Sequence, residues 1–444
     1  MNRPTIKLSC GNEAAGSESD LSPSSLTHRV SSKYQAPDRE ARAVWKQRRD
    51  RWIQANDVAY RHPDRLAPRL PCDQGFFRLP EQLLLSYEQH REESELGHVF
   101  RIANSLHDQL DAIVVLGPAS AVQSVTAVTQ ACCDPFHNEM SRADRGSKPR
   151  LYFADLESDN DYAQSLVWRL ERQGYGDVLA ERRYGIIAID DVHSRDRLLP
   201  LLRLFSNRLS HWNDQCADLP APMTVVSPRP DDWGEGQFPF LSRRQTLQSN
   251  DVLEGYFGTL SPATLLPAAF LGLDVIQLLV GAAAINDNFV DKEWHENLVL
   301  RLSTYLDRPR HQLVGWSSSF DPMMRWWNQL LRTASGIDVS WNRSVESEEL
   351  NRRASLSLPE LHLAIASPRT DPIAVLCRDD VSTTMEGLRQ HRWDSSFTAP
   401  TMTASNAVVE RLNLILPCIE TNPLGQLLQL AMTTAALIQA ERIG

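Results

Sequence analysis

The chain has 444 residues, of which 42% are hydrophobic and 23% charged, and its formal net charge is −10. That length fills two cores of ordinary size, and the composition is that of a globular protein in water, not of a disordered or membrane-embedded chain. An acidic chain without clustered Lys and Arg cannot neutralise a phosphate backbone, which argues against nucleic acid as a partner.

Residues 1–36 are polar and Ser-rich with almost no apolar periodicity, and read as a disordered extension. Arg39–Asn56 is expected to form a charged helix, so residues 1–60 make up an N-terminal extension. The Pro-rich passage Arg61–Cys72 marks a boundary. A first α/β domain is expected over 61–245. Within it, Leu79–Leu106 reads as helical, and Leu110–Val128 has the shape of a buried strand, a tight turn and a helix start. Arg150–Phe153, Arg183–Ile189 and Met223–Ser227 read as further strands, with helices over Asp161–Gln173 and Asp196–Trp212. Strands alternating with helices at this spacing predict a parallel sheet covered on both faces.

A second α/β domain is expected over 246–444. Ser261-Pro262 is a helix entry signal, with Ser261 as the cap and Pro262 in the first turn. The run Leu265–Ile285 is long enough to suggest a membrane span, but Pro267, Asp274 and Gln277 interrupt it. An Asp at mid-bilayer costs about 2.5–3.5 kcal/mol, so a buried helix pair is expected and no membrane. Gln312–Trp316 and Pro372–Cys377 are strand candidates around a helix over Asp321–Ala334, and helices over Ala407–Leu416 and Pro423–Glu441 close the chain. Trp316, Trp326, Trp327 and Trp341 are expected in the core or at an interface. The seven cysteines show no CxxC spacing, and Cys132-Cys133 is too tight for an ordinary disulfide. With no signal-peptide run at the start, this points to a reducing, cytoplasmic setting. No cofactor or metal is expected.

Several blocks carry a resemblance. LSPATLLPAAFLGLDVIQLLVGAAAIN (Leu260–Asn286), ACCDPFHNEMSRADRGSKPRLYF (Ala131–Phe153), RWWNQLLRTASG (Arg325–Gly336) and PLGQLLQLAMTTAALIQAERIG (Pro423–Gly444) together resemble, in order, blocks of the phosphoglucose isomerase (glucose-6-phosphate isomerase) family. The resemblance spans roughly Leu79 to Gly444. It implies two sugar-isomerase (SIS) domains in tandem, interconversion of glucose 6-phosphate and fructose 6-phosphate, no cofactor, and a homodimer or an oligomer with a related subunit.

Such an isomerisation needs a phosphate cup, a base to move a proton between two carbons, an acid for ring opening and a cation near the developing enediolate. The family's first glycine-rich turn corresponds here to Gly117-Pro118-Ala119-Ser120, where one glycine survives. Its phosphate cup corresponds to Asp190-Asp191-Val192-His193-Ser194-Arg195. An Asp at 4 Å opposes each phosphate charge by about 4 kcal/mol at an effective dielectric near 20. Asp190 and Asp191 then cap the following helix or bind a cation, while His193, Ser194 and Arg195 partly compensate. The family's arginine position holds Tyr256, a phenol without positive charge. Anchoring on Trp326, Gln329 and Gly336 puts Thr333 at the position of the base. Anchoring on Pro368-Arg369 puts Leu358 at the ring-opening histidine, with His362 and Glu360 as fallback groups. The expected substrate-binding set is Gly117, Ser120, Asp190, Asp191, His193, Ser194, Arg195 and Gln329. The expected function is a binding or scaffolding relative with impaired or absent isomerase activity; an active isomerase with a relocated site and a sugar-phosphate sensor are the alternatives.

Overall fold

The computed structural model describes residues 7–9, 37–61, 74–175, 183–191, 193–207, 222–233, 245–249, 255–343, 358–371, 373–376, 382–389 and 410–443. The chain divides into two compact units, one formed by residues 59–283 and the other by residues 1–58 together with 284–444.

The unit of residues 59–283 is built on a five-stranded parallel sheet. Its strands are β2 (Ala112–Gly117), β3 (Arg150–Asp155), β4 (Tyr184–Ile189), β5 (Met223–Ser227) and β6 (Gln245–Gln248), in the order β3-β2-β4-β5-β6. β2 and β4 are buried at every position, as a strand covered on both faces must be. Helices α2 (Leu79–His90), α3 (Glu95–Leu106), α4 (Ala119–Cys132), α5 (Asn160–Arg172) and α6 (Arg195–Ser206) belong to this unit. The stretch Leu79–Leu106, expected to be helical, consists of two α-helices joined by a short 3-10 turn. Arg91, at φ 47°, ends the first, and the Ser94 hydroxyl caps the second by accepting from the Gly97 amide at 2.9 Å.

The apolar stretch after residue 260 is the expected buried helix pair, α7 (Pro262–Phe270) and α8 (Val275–Asp291). Ser261 stands at the cap position with extended backbone, but its hydroxyl makes no capping bond. None of the described helices is long and apolar enough to cross a membrane.

The other unit repeats the plan. Its sheet is ordered β8-β7-β9-β12 and ends on β1 (Lys7–Ser9), with β7 (Arg310–Gly315), β8 (Asp338–Arg343), β9 (Glu360–Ile365) and β12 (Arg411–Leu416) mutually parallel. In each sheet the first strand of the unit's parallel series is flanked by the second and third, which puts a topological switch point between the first and third. Helices α9 (Leu298–Leu306), α10 (Asp321–Leu330) and the closing α11 (Thr421–Ile443) belong to this unit, as does most of α1 (Arg39–Arg61), and a small ribbon pairs β10 (Ala374–Leu376) with β11 (Ser382–Thr384). α11 is buried on all sides from Asn422 to Ile438. Trp326 and Trp327 are fully buried within the unit.

Two expectations are corrected here. The extension is not featureless, because β1 (Lys7–Ser9) pairs antiparallel with β12 at the sheet edge. The helix expected over Ala407–Leu416 is a strand where it is described, β12, buried on both faces and in register with β9, while residues 407–409 lie outside the described residues. A six-residue apolar run carries no periodicity that separates a buried strand from a helix turn, and the neighbouring strand decides.

Candidate functional site

In the unit of residues 59–283 the switch point lies at the carboxyl ends of β2 and β4, which pair directly through Leu116 and Ala188. Ligands of open α/β sheets bind at such crevices. Gly117 ends β2, and a Cβ there would stand 3.0 Å from both the Cβ and the carbonyl oxygen of Ile189, so any side chain at this position would crowd the neighbouring strand. Pro118 opens α4 without a side-chain cap. Ser120 is half-buried in the helix's first turn, where its carbonyl accepts from the Ser124 hydroxyl at 2.8 Å.

β4 delivers Asp190 to the same edge. Its backbone N–H continues the ladder to Val226 O at 2.8 Å, and its side chain is buried. Oδ2 of Asp190 accepts from Trp233 Nε1 at 2.8 Å, from the Ser227 hydroxyl at 2.9 Å and from Arg195 Nη2 at 3.3 Å. Oδ1 is equally buried and has no hydrogen-bond partner. Arg195 donates its other arm to Asp232 at 3.1 Å, and its guanidinium lies 5.3 Å from the Trp233 ring centroid. Asp191 shapes the turn by accepting from the His193 amide at 2.8 Å, and its own N–H reaches the Ser194 hydroxyl at 3.3 Å. His193 itself is exposed.

The fold therefore gathers Asp190, Asp191, His193, Ser194 and Arg195 in one loop at the strand end. Neither Asp caps α6 through its side chain. Ser227, Asp232 and Trp233 complete the cluster and were not anticipated. The available signal was a hydroxyl ending the strand MTVVS and an acidic-aromatic turn, DDW, just after it.

Tyr256 lies in the 3-10 turn Gly255–Leu260, and its hydroxyl donates to Gln123 Oε1 on α4 at 3.0 Å. Burial pushes the phenol up to about 12, so it is neutral at physiological pH. Thr259 fixes the turn by donating to Tyr256 O at 2.6 Å and sharing a 2.8 Å bond with Ser124. Glu95, the first residue of α3, is raised to about 7 by burial alone and was also not anticipated.

In the other unit, Gln329 is half-buried in the last turn of α10, and its carbonyl accepts from the Thr333 hydroxyl at 2.7 Å. Thr333 itself is exposed in a π-helical turn, Leu331–Ser335, that ends at Gly336 with φ 62°. Leu358 is half-buried just before β9. Glu360 and His362 are buried on one face of β9. Trp316 Nε1 can only donate, and it reaches His362 Nδ1 at 3.0 Å. The imidazole must then carry its proton on Nε2, which faces Glu360 Oε2 at 2.9 Å. Arg411 Nε lies 2.8 Å from the same carboxylate oxygen. Burial holds His362 below the usual imidazole range despite Glu360. Burial alone would raise Glu360, but the hydrogen bond and charge of His362, together with Arg411, hold it below the usual carboxylate range. Asn413 is the neighbour of His362 in register, and its buried amide has no partner at either atom.

Among the described residues, no three His, Cys, Asp or Glu side chains converge as a metal site.

No protein-family model matches the chain. The glucose-6-phosphate isomerase of Bacillus cereus (strain B4264) is 23% identical over 256 residues, 56% of this chain and 54% of that protein. The enzyme of the same name from Bacillus thuringiensis (strain Al Hakam) matches to the same extent. The chain thus spans about half the length of the curated relatives it matches. Among solved structures, a hypothetical protein of Thermus thermophilus superposes with a TM-score of 0.66 at 17% identity, covering 90% of this chain and 91% of that one. A glucose-6-phosphate isomerase from Chlamydia trachomatis superposes with a TM-score of 0.59 at 13% identity, covering 80% of this chain and 69% of its own. The chain is thus similar in sequence to glucose-6-phosphate isomerases over about half of its length, and it shares the fold of the solved one.

Proposed function

We propose that this protein is a binding or scaffolding relative of the sugar-phosphate isomerases that does not interconvert glucose 6-phosphate and fructose 6-phosphate at enzymatic rates. The observation that carries this reading is the state of the groups at the expected catalytic positions and of the fallback histidine. Thr333 donates its hydroxyl to the carbonyl of Gln329, and a threonine hydroxyl is no base near neutral pH without an activator. Tyr256 is a neutral phenol already bonded to Gln123. His362 has both ring nitrogens engaged and its side chain out of reach of water. Loss of a positioned general base alone typically costs about 10²–10⁴-fold in rate.

The crevice at the ends of β2 and β4 remains as the ligand site, with Gly117, Ser120, Asp190, Asp191, His193, Ser194 and Arg195 around it and a sugar as the class of ligand; Gln329 is the corresponding contact in the other unit. The partner is a second copy or a related subunit. The setting is the cytoplasm, which suits a chain whose seven cysteines show no CxxC spacing. A coupled assay that follows glucose 6-phosphate formed from fructose 6-phosphate, run at high concentration of purified protein, tests the reading. Turnover of about 1–10³ s⁻¹ would end it, and a signal indistinguishable from buffer is the expected result.

A further inference from the structure

Three donors from three different elements converge on one oxygen of Asp190: the Ser227 hydroxyl at the end of β5, the Trp233 indole N–H in the turn after it, and Arg195 at the start of α6. Convergent donors of this kind make up an oxyanion receptor, and bonds to an ionised acceptor are the strong ones. Ser227 and Trp233 are fully buried, so neither can turn to water if the acceptor is taken away.

The receptor is filled by the chain itself. Its cation, Arg195, is shared between Asp190 and Asp232, and Asp191 follows directly in the chain. A phosphate brought to this edge would meet three carboxylates and a guanidinium that is already paired. At about 4 Å and an effective dielectric near 20, each like-charge pair weakens binding by about a thousandfold.

We infer that Asp190 is a specificity-determining residue. Its carboxylate permanently occupies the oxyanion position formed by Ser227, Trp233 and Arg195, so the crevice takes hydroxyl-bearing ligands without a phosphate and refuses phosphorylated ones. The preference among ligands rests on the sugar-binding reading proposed above, whereas the self-occupied oxyanion position does not. The partnerless Oδ1 of Asp190 is the acceptor that a ligand hydroxyl would satisfy.

The test uses the full chain, with formate, inorganic phosphate, fructose and fructose 6-phosphate as probes at matched ionic strength, read by thermal shift and calorimetry. Asp190→Gly opens the position. It is expected to melt below wild type and to regain stability in formate or phosphate, while wild type gains nothing. Its affinity for phosphate should exceed that of wild type by about tenfold or more. Should Asp190→Gly fail to fold, Asp190→Asn keeps the shape and removes the charge, and it too should gain phosphate affinity. No gain in either variant, or a wild-type protein stabilised by phosphate as strongly as the variant, overturns the inference. Wild type binding fructose but not fructose 6-phosphate supports both the inference and the sugar reading. Wild type binding fructose 6-phosphate more tightly than fructose overturns the inference and leaves the sugar reading standing. Binding of neither sugar ends the sugar reading, and the anion gained by Asp190→Gly still decides whether the oxyanion position is real.

Discussion

Two buried carboxylates sit at opposite ends of one sheet, Asp111 just before β2 and Asp190 just after β4. At the amino end, Asp111 has both oxygens engaged. Oδ1 accepts from Arg145 at 2.7 Å, and Oδ2 from Arg150 at 2.6 Å and from Tyr175 at 2.8 Å. Those two arginines also donate to Met140, Lys148 and Asn138 carbonyls, so one acid knits the whole passage between α4 and β3. At the carboxyl end, Asp190 crowds all its donors onto one oxygen and leaves the other without a partner. The lesson is a division of labour: the amino end is closed for stability, while the carboxyl end keeps an unsatisfied polar atom where α/β sheets receive ligands.

The comparison predicts unequal costs. Asp111→Ala leaves Arg145, whose side chain has no solvent exposure, as an uncompensated buried charge. Urea unfolding should show a loss of about 3–5 kcal/mol, the largest of this series. A loss under about 1 kcal/mol would mean the amino end is no more closed than the carboxyl end.

His311 extends the series to a buried group whose ring nitrogens both lack a well-formed partner. Burial first, then Arg308, lowers it to about 4 from an ordinary 6.5, with backbone at Leu306 and Arg308 softening the effect. The folded state then binds fewer protons than the unfolded one between these values. The protein should be at full strength above about pH 6.5 and lose up to about 3 kcal/mol as pH falls toward 4. His311→Phe should remove that part of the acid sensitivity in parallel unfolding curves at pH 7 and 4.5; identical pH dependence in variant and wild type would contradict the assignment.

Ser227→Ala removes one of the three donors to Asp190 while Trp233 and Arg195 remain. Its expected cost is about 1 kcal/mol, well below that of Asp111→Ala. Thr333→Val removes an exposed hydroxyl that only back-bonds to Gln329, and unfolding midpoints should move by no more than about 0.5 kcal/mol.

Much of the fold was legible because buried parallel strands read as unbroken apolar runs. AIVVLG, YGIIAI and MTVVS are each bounded by turn residues, and all three are strands. The strands that escaped notice carry polar residues for a reason outside the strand. β9 (ELHLAI) places Glu360 and His362 opposite Trp316 and Arg411, and β12 (RLNLIL) supplies that Arg411 and Asn413. Only the register of neighbouring strands makes those positions inward. The Asp190–Arg195 loop was legible as a strand-end turn because it follows a recognisable strand. Trp233 and Ser227 were not, since 43 and 37 residues separate them from Asp190 and only the sheet order brings them back.

The proposed function implies that this protein does not move a proton between the first two carbons of a sugar phosphate. Solvent exchange tests it most directly, because exchange reports proton abstraction even where net turnover is too slow to see. Fructose 6-phosphate incubated with the purified chain in D2O, followed by NMR, should retain its C1 protons at the rate of the protein-free control. Protein-dependent deuterium at that carbon, saturating with substrate and absent in heat-denatured protein, would show that a working base exists and would contradict the account.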